Sequence, residues 1–277
     1  MIDPINIALL LLSGFAGGFI AGLLGIGGGM VYILIFSIFL KRLSTHSIES
    51  TDMVLLMISN SLFAIFFAGL SGSYRQWKSH NFYIKPVITI GLSGIVSSIT
   101  TKEVLISTHI YSTHYFALYF TLLMVPLLFR MFTQNQKEGN TDPEKISTWK
   151  MIITGLISGT SSALSGLGGG FILIPILNGV FRIPIKKTIS ISLGIITIVA
   201  LGFSLYNIFF TSYPAQYDFP FTLGTIVLPM VLPVVLGVII GTPIGVKVSH
   251  KLPALALKIL FVLFAIIVIS KILIEFL

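Results

Sequence analysis

Cysteine is absent from this 277-residue chain, which excludes a disulfide framework, a thiolate metal site and a cysteine nucleophile. Charge is scarce as well. Asp, Glu, Lys and Arg together make up 9% of the residues, against roughly a quarter in soluble globular domains. So few charges cannot hydrate the surface of a chain this long. Acid is the scarcer sign, with 9 Asp and Glu against 17 Lys and Arg. None of it falls deep inside an apolar run: Glu49 and Asp52 border one, and Glu275 lies at the C-terminal edge of another. A buried carboxylate relay and paired intramembrane carboxylates are thereby excluded. H-E-x-x-H and G-x-S-x-G are missing too, so no hydrolytic machinery is visible and an enzyme is not expected.

What the chain has instead is apolar length. Hydrophobic residues reach 55%, and Ile5 to Leu40, Met151 to Phe181 and Thr188 to Tyr217 are uncharged throughout. Each exceeds the roughly 18 residues that mark a membrane-spanning candidate, so the lipid bilayer is the expected solvent. The net charge of +8 comes from basic residues scattered singly between apolar runs. It is not gathered into a stripe with interleaved aromatics, so nucleic acid is not an expected partner. Met1-Ile2-Asp3-Pro4 lacks the positive n-region of a signal peptide, and the first apolar run is expected to belong to the fold.

The chain also resembles itself. Gly14, Gly18, Gly25, Gly27, Gly28 and Gly29 recur as Gly155, Gly159, Gly166, Gly168, Gly169 and Gly170, at a constant offset of 141. The register predicts two homologous membrane repeats, residues 1–132 and 149–277, joined by a polar linker over residues 133–148 into a single transport domain. As one helix, Ile5 to Leu40 would measure about 54 Å, against a hydrocarbon core of about 30 Å. The break is expected at Gly25–Gly29, where clustered glycine gives up helix propensity. Met151 to Ser165 and Phe171 to Phe181 flank the second cluster, and each is too short to cross alone. Both segments therefore read as re-entrant hairpins.

Three spans follow each hairpin, roughly 53–74, 86–101 and 112–130, then 188–213, 221–246 and 254–274. The expected fold is all-α and integral to the membrane: two inverted repeats, each a glycine-broken re-entrant hairpin plus three transmembrane helices. An odd count of crossings turns the second repeat upside down. This threading puts 13 of the 17 Lys and Arg on one side and 4 on the other, whereas eight full crossings would split them 9 to 8. The positive-inside bias favours the first arrangement, with both termini outside and the linker in the cytoplasm of a prokaryotic cell.

Inverted repeats with broken helices place their unwound loops near the midplane, where transporters of this build hold substrate. The predicted binding residues are therefore Gly25, Gly27, Gly28 and Gly29 in the first loop, and Ser165, Gly166, Gly168, Gly169 and Gly170 around the second. Backbone N–H groups at the helix starts that follow would favour an anion. Thr51, Ser190 and Ser192, near the starts of the following spans, add hydroxyl donors. Asn207 and Asn60 are polar groups deep in apolar spans that either meet substrate or staple helices. Gly14, Gly18 and Gly22 have the every-fourth spacing of close helix packing. No basic residue is expected deep in any span.

The segments Gly14 to Gly29 and Gly155 to Pro175 resemble those of the sulfite exporter TauE/SafE family, whose members carry a G-x-G-G-G-x-x-x-x-P-type motif in each half. Pro175 fits that pattern, while the matching first-half position is Leu34. The resemblance implies a secondary transporter, working outward, for a small anion such as sulfite, thiosulfate, a sulfonate or a related organic acid. An anion-selective channel is the alternative, although the T-V-G-Y-G filter is missing. Neither reading needs a cofactor. Gly166–Gly170 is followed by no Lys-Ser/Thr, so it is not a nucleotide-binding loop. A homo-oligomer is compatible with the sequence.

Overall fold

The computed structural model describes residues 3–43, 50–108, 113–133, 141–211, 219 and 221–276. Helix α1 (Pro4–Leu24) opens with proline in its first turn, where a missing N–H costs no helical bond, and ends at Gly25 with φ +75°. The chain re-enters a helix as α2 (Gly29–Leu43). The break in the first apolar run thus falls at the expected glycines. At 21 residues, α1 is about 31 Å long and could cross a membrane by length alone.

Three long helices follow: α3 (Ser50–Lys78), α4 (Ile84–Thr108) and α5 (Thr113–Thr133). After one 3-10 turn, α6 (Thr148–Ser165) leads through Gly166–Gly169 into α7 (Gly170–Pro175). Pro175 supplies no N–H to the ladder, and the chain continues as a π turn over Ile176–Val180. The counterpart α2 lacks that proline and is helical without interruption. Then come α8 (Ile185–Phe210), α9 (Leu228–Lys251) and α10 (Ala254–Phe276).

One expected boundary is corrected. Residues 221–227 do not open a span: β1 (Thr222–Leu223) and β2 (Ile226–Val227) form a small antiparallel hairpin. Gly224 turns it at φ +55°, and Asn60 of α3 holds it, its Oδ1 accepting from the Val227 N–H at 2.8 Å and its Nδ2 donating to the Thr225 carbonyl at 3.1 Å. Asn60 is therefore a staple.

Five helices among the described residues are long and apolar enough to cross a membrane. Large apolar side chains face outward from the bundle, with Phe209, Phe210, Leu122 and Phe129 each more than 70% exposed. In water such a surface would aggregate; in lipid it is the ordinary outer face. The interior is set by close backbone approach. Gly14 and Gly22 of α1 stand so near the Val234 and Thr242 carbonyls of α9 that a Cβ would collide, and Gly237, Gly241 and Gly245 of α9 stand equally near the Leu11, Phe15 and Phe19 carbonyls. The every-fourth spacing thus forms the predicted seam. A second seam brings Gly155 and Gly159 of α6 against Ile90 and Gly94 of α4. Helices α3 and α8 cross at the centre, and α8 carries buried residues along nearly its whole length.

Candidate functional site

The two glycine loops share one backbone conformation. Gly25, Gly27 and Gly28 have φ of 75°, 88° and 73°, and Gly166, Gly168 and Gly169 have 63°, 84° and 71°. Side chains rarely tolerate this left-handed region, which explains three glycines per loop. Each loop begins with the same cap: the Gly25 N–H donates to the Ala21 carbonyl at 2.7 Å, and the Gly166 N–H to Ser162 at 2.8 Å. The Ser165 hydroxyl accepts from the Leu167 N–H at 3.1 Å and donates to the Ser161 carbonyl at 2.6 Å, bracing the second loop from within.

The loops touch each other. A Cβ on Gly29 would lie 2.7 Å from the Gly166 carbonyl oxygen, and one on Gly170 would lie 2.7 Å from that of Gly25. Those two carbonyls accept hydroxyl groups from the central helices. Ser61 of α3 donates to Gly166 O at 2.7 Å, and Ser192 of α8 donates to Gly25 O at 2.7 Å. Ser61 and Ser192 are 131 residues apart, as are Ile65 and Ile196, whose side chains fill the space beside Gly27. Ile65 also abuts Gly168. These two isoleucines fill the space beside the loops.

Among the predicted binding residues, the structure brings the glycines, Ser165 and Ser192 together. Ser192 is committed to a loop carbonyl. Ser190 lies elsewhere, its hydroxyl donating to the Asn81 carbonyl. Thr51 is in the first turn of α3, with its side chain outside the described residues. Asn207 is buried away from the loops, with Nδ2 on the Phe203 carbonyl at 2.8 Å.

Asn207 also meets a buried cation just past the expected span 86–101. Helix α4 continues past residue 101 because Thr101-Lys102-Glu103 contains no helix breaker, and Lys102 is 2% exposed. Its ammonium donates to Asn207 Oδ1 at 2.8 Å and to Thr211 Oγ1, and lies 4.9 Å from the centre of the Tyr206 ring. Ser59 and Thr225 donate to the same Asn207 oxygen at 3.4 and 3.3 Å.

Sequence reasoning also missed Tyr32 of α2. Its ring packs on Gly17, its hydroxyl stands against Gly28, and the residue is fully buried with no hydrogen-bond partner for that hydroxyl. A buried orphan hydroxyl costs about 1–3 kcal/mol. Nothing in the sequence marked it, since the equivalent position in the second half is Leu173.

An apolar-faced helical bundle around two apposed glycine loops defines a multi-pass membrane transporter. The sequence model of the family Sulfite exporter TauE/SafE matches residues 10–272, and the chain belongs to that family. It is 28% identical over 194 residues to a probable membrane transporter protein of Methanocaldococcus jannaschii, covering 70% of this chain and 69% of that one. It is 26% identical over 272 residues to a probable membrane transporter protein of Haemophilus influenzae, covering 95% and 96%. No solved structure matches.

Proposed function

We propose that this protein is a secondary transporter that exports a small anion of the sulfite, thiosulfate or sulfonate kind, passing it between Gly25–Gly29 and Gly166–Gly170. The observation that carries the reading is the reciprocal bond of Ser61 and Ser192, each holding the loop of the opposite half. Ile65 and Ile196 plug the gap between the loops, and their withdrawal would open it. The Tyr32 hydroxyl supplies an unused donor beside the first loop, so substrate binding there would satisfy a group that the closed state leaves bare.

In this reading residues 1–132 and 149–277 are repeats inverted about an axis in the membrane plane, with the linker cytoplasmic and both termini outside. The pairing of α1 with α9 and of α6 with α4 supports it, because each repeat's broken helix packs on the other repeat. The test is uptake of radiolabelled sulfite, thiosulfate and taurine into proteoliposomes containing the purified protein. Saturable flux that a pH or ion gradient drives uphill supports a transporter. Flux that never saturates and only follows the anion's own gradient indicates a channel.

A further inference from the structure

Away from the loops, a polar pocket of about 620 Å³ opens at one end of the bundle, lined by Ser79, Asn81, Lys186, Lys187 and His250 among others. None of its lining residues is acidic. Lys187 lies 5.7 Å from the centre of the Tyr83 ring. Lys186 donates to the His250 carbonyl at 2.9 Å, which leaves two of its three ammonium hydrogens for another acceptor.

Behind two of the lining residues, Asn81 and His250, stands a second feature. Gln76 is fully buried, and its Oε1 is doubly occupied, 2.8 Å from His250 Nε2 and 3.1 Å from the donating Asn81 Nδ2. Its Nε2 has no partner. A buried amide with idle donors, bonded to Asn81 and His250 of the pocket lining, needs an acceptor that the protein does not supply.

The arrangement also repeats. Gln76 and Asn207 are 131 residues apart, the same offset that relates Ser61 to Ser192. Each amide joins a basic side chain from another helix, His250 of α9 in one case and Lys102 of α4 in the other. The Asn81 carbonyl accepts the Ser190 hydroxyl, and two residues along α8 Ser192 holds the first glycine loop.

We propose that this pocket is a vestibule that binds a small oxyanion through Lys186 and Lys187, loading it ahead of the glycine loops. The loading role rests on the anion-transport reading above; the binding does not. The probe is inorganic [35S]sulfate, with equilibrium binding to the full-length protein in phosphatidylcholine nanodiscs. Wild type should bind sulfate. Lys186→Gln and Lys187→Gln should each weaken binding about tenfold, as expected for removing one nearby charge. Phe209→Ala, on the exposed apolar surface, should leave it unchanged.

No sulfate binding by wild type, or unchanged affinity in Lys186→Gln and Lys187→Gln, would overturn the vestibule even if transport is measured. Loss of sulfate binding when phosphatidylglycerol replaces phosphatidylcholine would also overturn it, by showing a lipid-headgroup site. Sulfate binding that behaves as expected, in a protein that moves no anion in proteoliposomes, would keep the site and sink the transport reading.

Discussion

Lys102 reaches from α4 to Asn207 of α8 across 2.8 Å, placing an ammonium group inside a bundle where its hydrogen-bond partners are an amide and a hydroxyl. Removing the two residues should have opposite consequences. Asn207→Ala strips the buried cation of its main acceptor and should cost about 2 kcal/mol. Lys102→Met removes the charge that must be desolvated and should leave stability unchanged or higher. In the Lys102→Met background, Asn207→Ala should cost less than alone, since the coupled pair is already broken. Thermal unfolding of the four proteins in one detergent reads all three comparisons, and equal losses for both single variants would refute the assignment.

Tyr32→Phe gives a sharper separation of stability from function. Because the hydroxyl is buried without a partner, deleting it should raise stability or leave it unchanged. If that hydroxyl meets substrate, the same variant should lose about tenfold in transport, equivalent to about 1.4 kcal/mol. A variant that transports at the wild-type rate would remove Tyr32 from the path.

The serine staples predict matched effects. Ser61→Ala and Ser192→Ala each leave a loop carbonyl without its hydroxyl donor, so each should cost about 1–3 kcal/mol. Similar losses of apparent melting temperature are expected, because the two bonds have the same length and the same role.

The glycines divide by what surrounds them. A Cβ on Gly169 would come 2.6 Å from the Ser158 carbonyl oxygen, while one on Gly168 would meet only Ile65 side-chain carbons, the nearest at 3.0 Å. Gly169→Ala should therefore yield little folded protein. Gly168→Ala should fold, with its strained φ as the main penalty, and should still impair transport. Fluorescence-detected size exclusion followed by flux measurement distinguishes the two.

Topology is testable without any background mutation, since the chain has no cysteine. A cysteine at Asn140 should react with an impermeant maleimide only from the cytoplasmic side, and one at Ala215 only from outside. Both positions lie outside the described residues. Labelling of both from the same side would contradict the inverted arrangement.

The sequence made the helix break and the loop glycines readable because both are local: clustered glycine undoes a helix wherever it stands. The seam along Gly14, Gly18 and Gly22 was readable for the same reason, as a spacing within one helix. Ser61 escaped notice because its acceptor, Gly166, is 105 residues away, and a lone serine in an apolar run usually bonds its own helix. Lys102 was placed outside the membrane because a lysine just past an apolar stretch ordinarily snorkels to water. Only the folded chain shows Asn207 waiting for it. The hairpin at residues 222–227 was counted as helix because its apolar composition continues into α9, and its β form depends on Asn60.

The seam between α1 and α9 has a consequence for how the chain is made. Gly14 and Gly22 meet Val234 and Thr242, so the two faces of the seam are separated by 220 residues of synthesis. At about 5–20 residues per second, the ribosome needs on the order of ten to forty seconds to supply the partner. Through that interval α1 sits in the bilayer with an open groove of bare backbone. The insertion machinery or neighbouring lipid must cover the groove until α9 arrives, so α1 finds its place only long after it is made.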